Sequence, residues 1–591
     1  MNNARLLTTQ SNRSAVSFSL KVGGEVLPTS LEVTGITVLK EVNRIPMAKL
    51  VILDGDPAEQ DFEVSNEDWF VVGNKIEIFM GDLNDELLIF KGFIVKLQMI
   101  VRENATHLEV DCRDAVYRMT LHRQSRFFEN KTDSNLAERI LAEYNINNKI
   151  TSTPYRHPQI VQYDVTDWDF VIMRMDFNGM LTIVEDGTFK AAPPDFEQEV
   201  SLNLEYGATV IEFDGELEVR NQFEQVITRS WDPATQKIIE VDASEPNIQH
   251  NGNLSGKEIA SANRPPTERA AQQRAAQEQP ATIVHRHGGR VATDELQTWA
   301  NARLLKDRLS RTRGRVQFEG FNGVKPGDII TLGGFGDRFN GPVYVAGVRQ
   351  ELYEGTWLTD VEFGLSPEWF AAKVKIEAPP AAGMLAGVHG LQAGVVTQIE
   401  GDPDQEHRIR VRYPIVDDQD PGIWARVATL DAGSGRGTVF RPEVRDEVIV
   451  GFINNDPRDP VVLGMLQSSG KAAPFAATRE NNEKGYVSRS GIRLVFHDEE
   501  NKSAIELKTP SGNQLLISDE NQGITLSDQH GNTIRMDKNG ISLNSPTAVK
   551  INAEKGELES HSRNLSIVFT GEASLSGGSS LKLGATRIDI N

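Results

Sequence analysis

The last hundred or so residues constrain this chain most. From about Tyr486 to Asn591 there is no long helical period and almost no aromatic side chain. Short apolar/polar alternations recur instead: Ile492-Arg-Leu494-Val-Phe496, Ile505-Glu-Leu507, Ile524-Thr-Leu526, Ile534-Arg-Met536, Ile541-Ser-Leu543, Leu581-Lys-Leu583 and Ile588-Asp-Ile590. Turn dipeptides separate many of them, at Ser511-Gly512, Gln522-Gly523, Gly531-Asn532 and Asn539-Gly540. A period of two describes a strand with one buried face, and glycine beside asparagine supplies the positive φ of a tight turn. The stretch is an imperfect repeat of one strand and one turn.

A repeat of this kind cannot bury its apolar stripe alone, because stacked repeats need neighbours or closure. Its apolar residues are few and mid-sized, with Thr, Ser and Asn between them, which suits a narrow closed β-prism better than a wide core. Each chain would then supply one wall of an intertwined homotrimer, and closure would remove exposed strand edges. About twelve strands stacked at ~4.8 Å give a rod on the order of 60 Å long. The residues expected to line the trimer axis are Ile524, Leu526, Ile534, Met536, Ile541 and Leu543. The last strand, Ile588, Asp589, Ile590 and Asn591, is the expected dock for a capping protein. A single-chain β-solenoid is the alternative.

The chain has 591 residues, enough for several domains. Its formal net charge of -22 opposes a nucleic-acid surface, so no nucleic acid is expected as a partner. The single cysteine, Cys112, rules out an intrachain disulfide framework; its place in Leu108-Glu-Val110-Asp-Cys112 points to a buried structural thiol. Met1-Asn-Asn-Ala-Arg-Leu-Leu is not a signal peptide, and no run approaches the ~20 apolar residues that span a bilayer. Synthesis in the cytoplasm follows as an expectation.

Residues 15 to 125 read as strands: Val16–Val22, Leu31–Leu39, Lys49–Leu53, Lys75–Met80, Leu87–Ile100 and Thr106–Val116. An α+β part follows. Asp133-Ser134 caps one helix; Thr166, with Asp169 as capping-box partner, opens another that runs to Gly179; a hairpin spans 180–190. Residues 245–282 turn polar and read as a surface loop followed by a polar helix. Thr293 caps a longer helix, with acidic residues at its start and basic ones at its end. Strands return from Arg315 to Gly364. The domain reading is therefore a hub at 1–376 with two barrel-like units, a proline-rich linker at 377–387, a five-stranded OB-type barrel at 388–470, a connector at 471–485 and the β-prism at 486–591.

No catalytic constellation emerges. Gly433-Ser434-Gly435 lacks the flanking glycines and following helix of a nucleophile elbow. Gly333-Gly334-Phe335-Gly336 lies between strands, without the helix amino terminus that holds a phosphate, and reads as a hairpin loop. His285-Arg-His287 has no further ligands to complete a metal site and reads as a surface pair. Asp519, Glu520, Asp528 and Asp537 fall at turns; they read as solvated corners, with a polysaccharide-cleaving carboxylate pair as the competing role. Asp537-Lys-Asn539-Gly540 lacks the preceding acids of a calcium loop. No metal and no cofactor is expected, and the rod's role is mechanical.

The run His407-Arg-Ile-Arg-Val-Arg-Tyr413-Pro414, with Ile423-Trp424-Ala425-Arg426, then Arg441-Pro442-Glu443-Val444-Arg445-Asp446-Glu447-Val448, and Asn455-Asp456-Pro457-Arg458-Asp459-Pro460, resembles the barrel of valine–glycine repeat (VgrG) spike proteins. Asp167-Trp168-Asp169-Phe170, Lys325-Pro326-Gly327-Asp328 and Arg338-Phe339-Asn340-Gly341 resemble that family's hub, in the right order along nearly the whole chain. The resemblance implies a trimeric, non-enzymatic spike of a contractile injection system: type VI secretion, extracellular particle or phage tail. Implied partners are a hexameric inner tube, baseplate proteins, a PAAR-repeat tip protein and cargo effectors, with a target membrane met only in passing. The protein would be part of an injection particle, extracellular or delivered on firing. About 15 residues between barrel and rod leave no room for the lysozyme of some phage spikes, and the repeats at 486–591 are expected to form a bare piercing spike without a fused effector. A trimeric tailspike enzyme and a receptor-binding adhesin are the other classes weighed.

Overall fold

The computed structural model describes residues 16–82, 85–103, 106–265 and 280–589. The chain divides into two compact units, Met1–Ala382 and Gly383–Asn591.

In the first unit, the alternating stretches near the amino terminus form Val16–Val22, Val33–Glu41, Met47–Leu53, Lys75–Asp82, Asp85–Val101 and Thr106–Arg113. They pair antiparallel and bury one face as a core of Ile36, Leu50, Ile76, Ile78, Phe90, Val110 and Cys112. A second group, Val210–Leu217, Thr312–Glu319, Gly341–Tyr353 and Thr356–Phe363, has its own core around Val316, Phe318, Val345, Val361 and Phe363. These are not two closed barrels. Strand Gly341–Tyr353 lies beside Val33–Glu41, with Leu352 opposite Ile36 and Val348 opposite Lys40, so both groups belong to one thirteen-stranded sheet. The seam follows from the strand's two edges: residues 347–353 pair with Thr356–Phe363 on one side and with Val33–Glu41 on the other.

The α+β part packs helices Asp133–Glu143 and Asp167–Phe177 on the ribbon Arg123–Thr132/Arg156–Thr166 and on a three-stranded sheet. Thr132, one residue before the expected cap, closes the first helix by accepting from Asn135 N. Thr166 caps the second, accepting from Asp169 N at 3.1 Å while its hydroxyl donates to the Asp169 carboxylate at 2.6 Å. Thr293 is a first-turn residue rather than a cap; Ala292 precedes the helix Thr293–Leu309 and offers no side-chain bond. The polar stretch contains a short helix, Gly256–Ala260, with a capping box between Ser255 and Glu258. The polar helix expected from Thr267 lies outside the described residues. Cys112 is fully buried, and burial pushes its thiol up to about 12.

In the second unit, Gln392–Gln398, Ile409–Arg412, Ile423–Val427, Pro460–Met465 and Glu447–Phe452 close into a five-stranded barrel. Its interior is Val396, Ile409, Val411, Ala425, Val448, Val450 and Val462, all fully buried. Small side chains, all but Ala425 β-branched, suit the interior of so narrow a barrel. Seven strands follow as an antiparallel meander, each paired with the next: Glu483–Val487, Arg493–His497, Ala504–Lys508, Gln514–Ser518, Gly523–Ser527, Thr533–Asp537 and Gly540–Asn544. Residues 545–589 form turns and bends without strands, so the alternations at Leu581 and Ile588 do not extend the meander within one copy.

Candidate assembly face

The meander has a two-stroke repeat. At one edge the loops 488–492, 509–513 and 528–532 are built alike: the first residue donates its N–H to the carbonyl of the last, and a glycine in fourth place donates back to the first. Those glycines, Gly491, Gly512 and Gly531, have φ of 84°, 93° and 87°, where a side chain is strained. Opposite them, Lys538-Asn539 makes a two-residue turn. Gly523 is an exception to the expected pattern. It is the first residue of its strand, and Gln522 carries the positive φ.

Register sorts the side chains. Tyr486, Leu494, Leu507, Leu515, Leu526, Ile534 and Leu543 stand opposite one another in succession, and so do Phe496, Ile505, Ile517, Ile524, Met536 and Ile541. Both ladders lie on one face, because the partners of i and i+2 share a side. All six residues expected at the axis are there, three in each ladder. The other face carries Glu506, Thr525, Arg535 and Ser542, with Val487, Val495, Ala504 and Leu516 among its apolar members. Sequence reading missed the strand Gln514–Ser518, since Leu515-Leu516-Ile517 runs apolar without alternating; its signal was the pair of turns around it.

One copy does not cover this face. Ile534 is 36% exposed and Leu543 58%, and Leu494, Phe496, Ile505, Leu507, Ile517, Leu526, Met536 and Ile541 are also exposed. Monomeric soluble proteins rarely leave so large a contiguous apolar surface open. At about 25 cal/mol per Å², covering the exposed remainder of thirteen such side chains is worth on the order of 10 kcal/mol per chain. Val549, Ile551, Leu565, Ile567, Phe569, Leu581, Leu583 and Ile588 in the following segment are exposed too.

The remaining candidates resolve as local structure. Asp528 accepts from His530 N, Asn532 N and the Asn532 side chain, which hold its carboxyl below the usual range; Asp537 pairs with Arg535 and accepts from Asn539 N. The loop at Gly333 is a hairpin, with Leu332 opposite Gly341 and Phe335 stacked on Phe213 at 4.0 Å. Gly433-Ser434-Gly435 is the tip of a small hairpin. His285 lies against Trp299, whereas His287 is exposed beside Gly289. Ile588 is exposed, Asp589 pairs with Arg587, and Ile590 and Asn591 lie outside the described residues. No helix among the described residues is long and apolar enough to cross a membrane.

Residues 504–591 match the phage baseplate V C-terminal trimerisation domain, and residues 392–466 match the type VI secretion system/phage-baseplate injector OB domain. The chain belongs to the VgrG-type spike and phage-baseplate family. Residues 12–354, more than half of it, match the Alg8 N-terminal domain and make it a member of that family as well. Among similar proteins, the type VI secretion system spike protein VgrG1a of Pseudomonas aeruginosa is 26% identical over 217 residues, 34% of this chain and 33% of that one. Spike protein VgrG1b of the same organism is 25% identical over 269 residues, 42% of this chain and 35% of that one. The alignments thus span about a third of these relatives' length. Similar solved structures include a 43 kDa prophage tail protein from Shewanella oneidensis (12% identity, 60% of this chain and 99% of that one, TM-score 0.43). A Francisella PdpA–VgrG complex is another (10% identity, 92% and 81%, TM-score 0.37). The two matched segments at 392–466 and 504–591 coincide with the five-stranded barrel and with the chain from strand Ala504–Lys508 onwards.

Proposed function

We propose that three copies of this chain form the central spike of an injection particle, a hub that joins the inner tube and a needle that pierces the target envelope. The observation that carries this reading is the pair of uncovered apolar ladders ending in a segment whose apolar residues are also exposed. Three such faces turned inward close a prism, with Ile524, Leu526, Ile534, Met536, Ile541 and Leu543 along its axis. The segment 545–589 then finds its strand partners on neighbouring copies and lengthens the needle.

In this reading the chain is divided into hub 1–376, linker 377–387, barrel 388–470, connector 471–485 and needle 486–591. In the hub, the two strand groups of each copy give a trimer six similar elements, which matches a hexameric tube. The end of the needle, from Ile588 to Asn591, takes a PAAR-type tip protein, and baseplate proteins and cargo effectors are the other partners. The needle's work is mechanical, since many short inter-chain hydrogen bonds share the load of contraction.

The mass of the full chain in solution, measured by light scattering with and without the segment after Gly470, tests this. We expect about three times 65.5 kDa for the full chain and a weakened trimer without the needle. A folded single chain at 65.5 kDa overturns the reading.

A further inference from the structure

One cleft in the hub has no part in the work proposed for the spike. It lies wholly within the first unit and holds about 450 Å³. Sites for small molecules have this size, on the order of 300–1,000 Å³, and close-packed interiors rarely leave an apolar space so large. Its walls include Trp168, Met180 and Leu181 from the α+β part, Leu305 from helix Thr293–Leu309 and Phe370 from the segment by which the chain leaves the hub. Hydrogen bonds fix these walls. Asn43 N donates to Thr182 O at 2.7 Å and Thr182 N donates to Asn43 Oδ1 at 2.9 Å, which clamps the loop after strand Val33–Glu41. Phe370 N donates to the Asp176 carboxylate at 2.9 Å and holds the exit segment.

Pairing among the charged residues of the lining decides which ligand fits. Lys306 is bound to Asp176 at 2.5 Å and Arg44 to Glu41 at 3.3 Å, while Asp169 accepts from the Thr166 hydroxyl at 2.6 Å. Arg113 and Lys373 line the cleft too, and among the described residues neither has a carboxylate at ion-pair distance. Arg113 donates to the Cys112 carbonyl at 3.4 Å. Partial burial holds the Lys373 ammonium below its ordinary value, helped by Lys306 and Arg44, and Glu368 and Asp176 oppose this without reversing it. Two cations without an anion, set beside an apolar space, suit a ligand that is apolar along its length and acidic at one end. We propose that the cleft binds a small amphipathic carboxylate, its chain along Trp168, Met180 and Leu305 and its head between Arg113 and Lys373. Bound there, the ligand ties the segment 365–374 to helix Asp167–Phe177.

Competition against a dansyl-labelled undecanoic acid on the full chain tests this, with dodecanoate, dodecanol and dodecyltrimethylammonium each kept below its micelle concentration. We expect one saturable probe site per chain, with dodecanoate displacing the probe about tenfold more tightly than dodecanol and the ammonium weakest. Arg113→Gln and Lys373→Gln are each expected to weaken dodecanoate about tenfold and to leave dodecanol unchanged. The Lys373 side chain is exposed, so its substitution leaves the fold intact and carries the test by itself. Equal displacement by dodecanoate and dodecanol, or dodecanoate binding indifferent to Lys373→Gln, overturns the acidic head. Probe uptake that does not saturate, or none at all, overturns the site.

Discussion

Ile534 and Leu543 stand directly opposite each other on neighbouring antiparallel strands, and one copy leaves both of them exposed. The pair is a rung of an apolar ladder whose polar counterpart, Arg535 opposite Ser542, faces the other way. A charge on the ladder face would meet two like charges near the axis of a closed prism, without water to solvate them. Ile534→Glu is therefore expected to lower the solution mass from three chains to one. Ser542→Glu, on the polar face, is expected to leave it at three. An Ile534→Glu variant that still runs as a stable trimer removes these residues from the axis.

The parts legible in the sequence were those in which a local period decides the outcome. Ile524, Leu526, Ile534, Met536, Ile541 and Leu543 alternate strictly, and the structure places all six on one face. The barrel strands alternate around small valines and appear where expected. What was illegible is non-local. Nothing near Val348 says that its strand will lie beside Val33–Glu41, some three hundred residues earlier, and merge two strand groups into one sheet. Phe440 gave no signal either, because its partner Tyr486 sits beyond the barrel's last strand. The apolar residues after Asn544 alternate well but form no strands in one copy, because a strand needs a partner that this segment does not find in its own chain.

Cys112 sits at the centre of the first hub core, opposite Ala48 and Ile94 on its two neighbouring strands. Burial pushes its thiol up to about 12, so almost no thiolate exists at neutral pH. A thiol reagent such as DTNB is expected to label none of the native protein and one thiol per chain in denaturant. Rapid labelling of the native protein would show that the strand opens.

Thr166 holds the amino terminus of helix Asp167–Phe177, whose Trp168, Phe170, Val171, Ile172 and Met175 build the α+β core. Replacing a capping threonine with alanine removes an acceptor for a free N–H and costs about 1 kcal/mol. Thr166→Ala is expected to lower the denaturation midpoint of the hub by that amount, and Thr166→Ser to restore most of it. Equal losses in both variants would mean that the threonine methyl, not the hydroxyl, carries the effect.

Asp133 gives the pH dependence a definite sign. It is nearly fully buried; Arg174 donates to it at 2.6 and 3.0 Å and Asn178 at 2.8 Å, and His157 Nε2 lies 3.2 Å away. Burial alone would raise its carboxyl, but the bonds from His157, Arg174 and Asn178 outweigh that and hold it well below the usual carboxylate range. The folded state thus binds the proton more weakly than the unfolded state. The resulting stability is fully present above the unfolded value near 3.9 and is lost as pH falls towards the lower folded value. Removing the charge leaves the half-buried Arg174 without its closest partner, with only Glu295 at 3.9 Å in its place, so Asp133→Asn is expected to cost about 3 kcal/mol at pH 7. Between about pH 4 and pH 2 the gap between wild type and variant should narrow, because there the unfolded wild-type chain takes up a proton that the folded state does not. Urea denaturation at pH 7, 4 and 2.5, followed by the fluorescence of Trp168 and its neighbours in the hub, measures both midpoints. A gap that stays constant across that range would show that the variant acts through packing and not through the carboxylate.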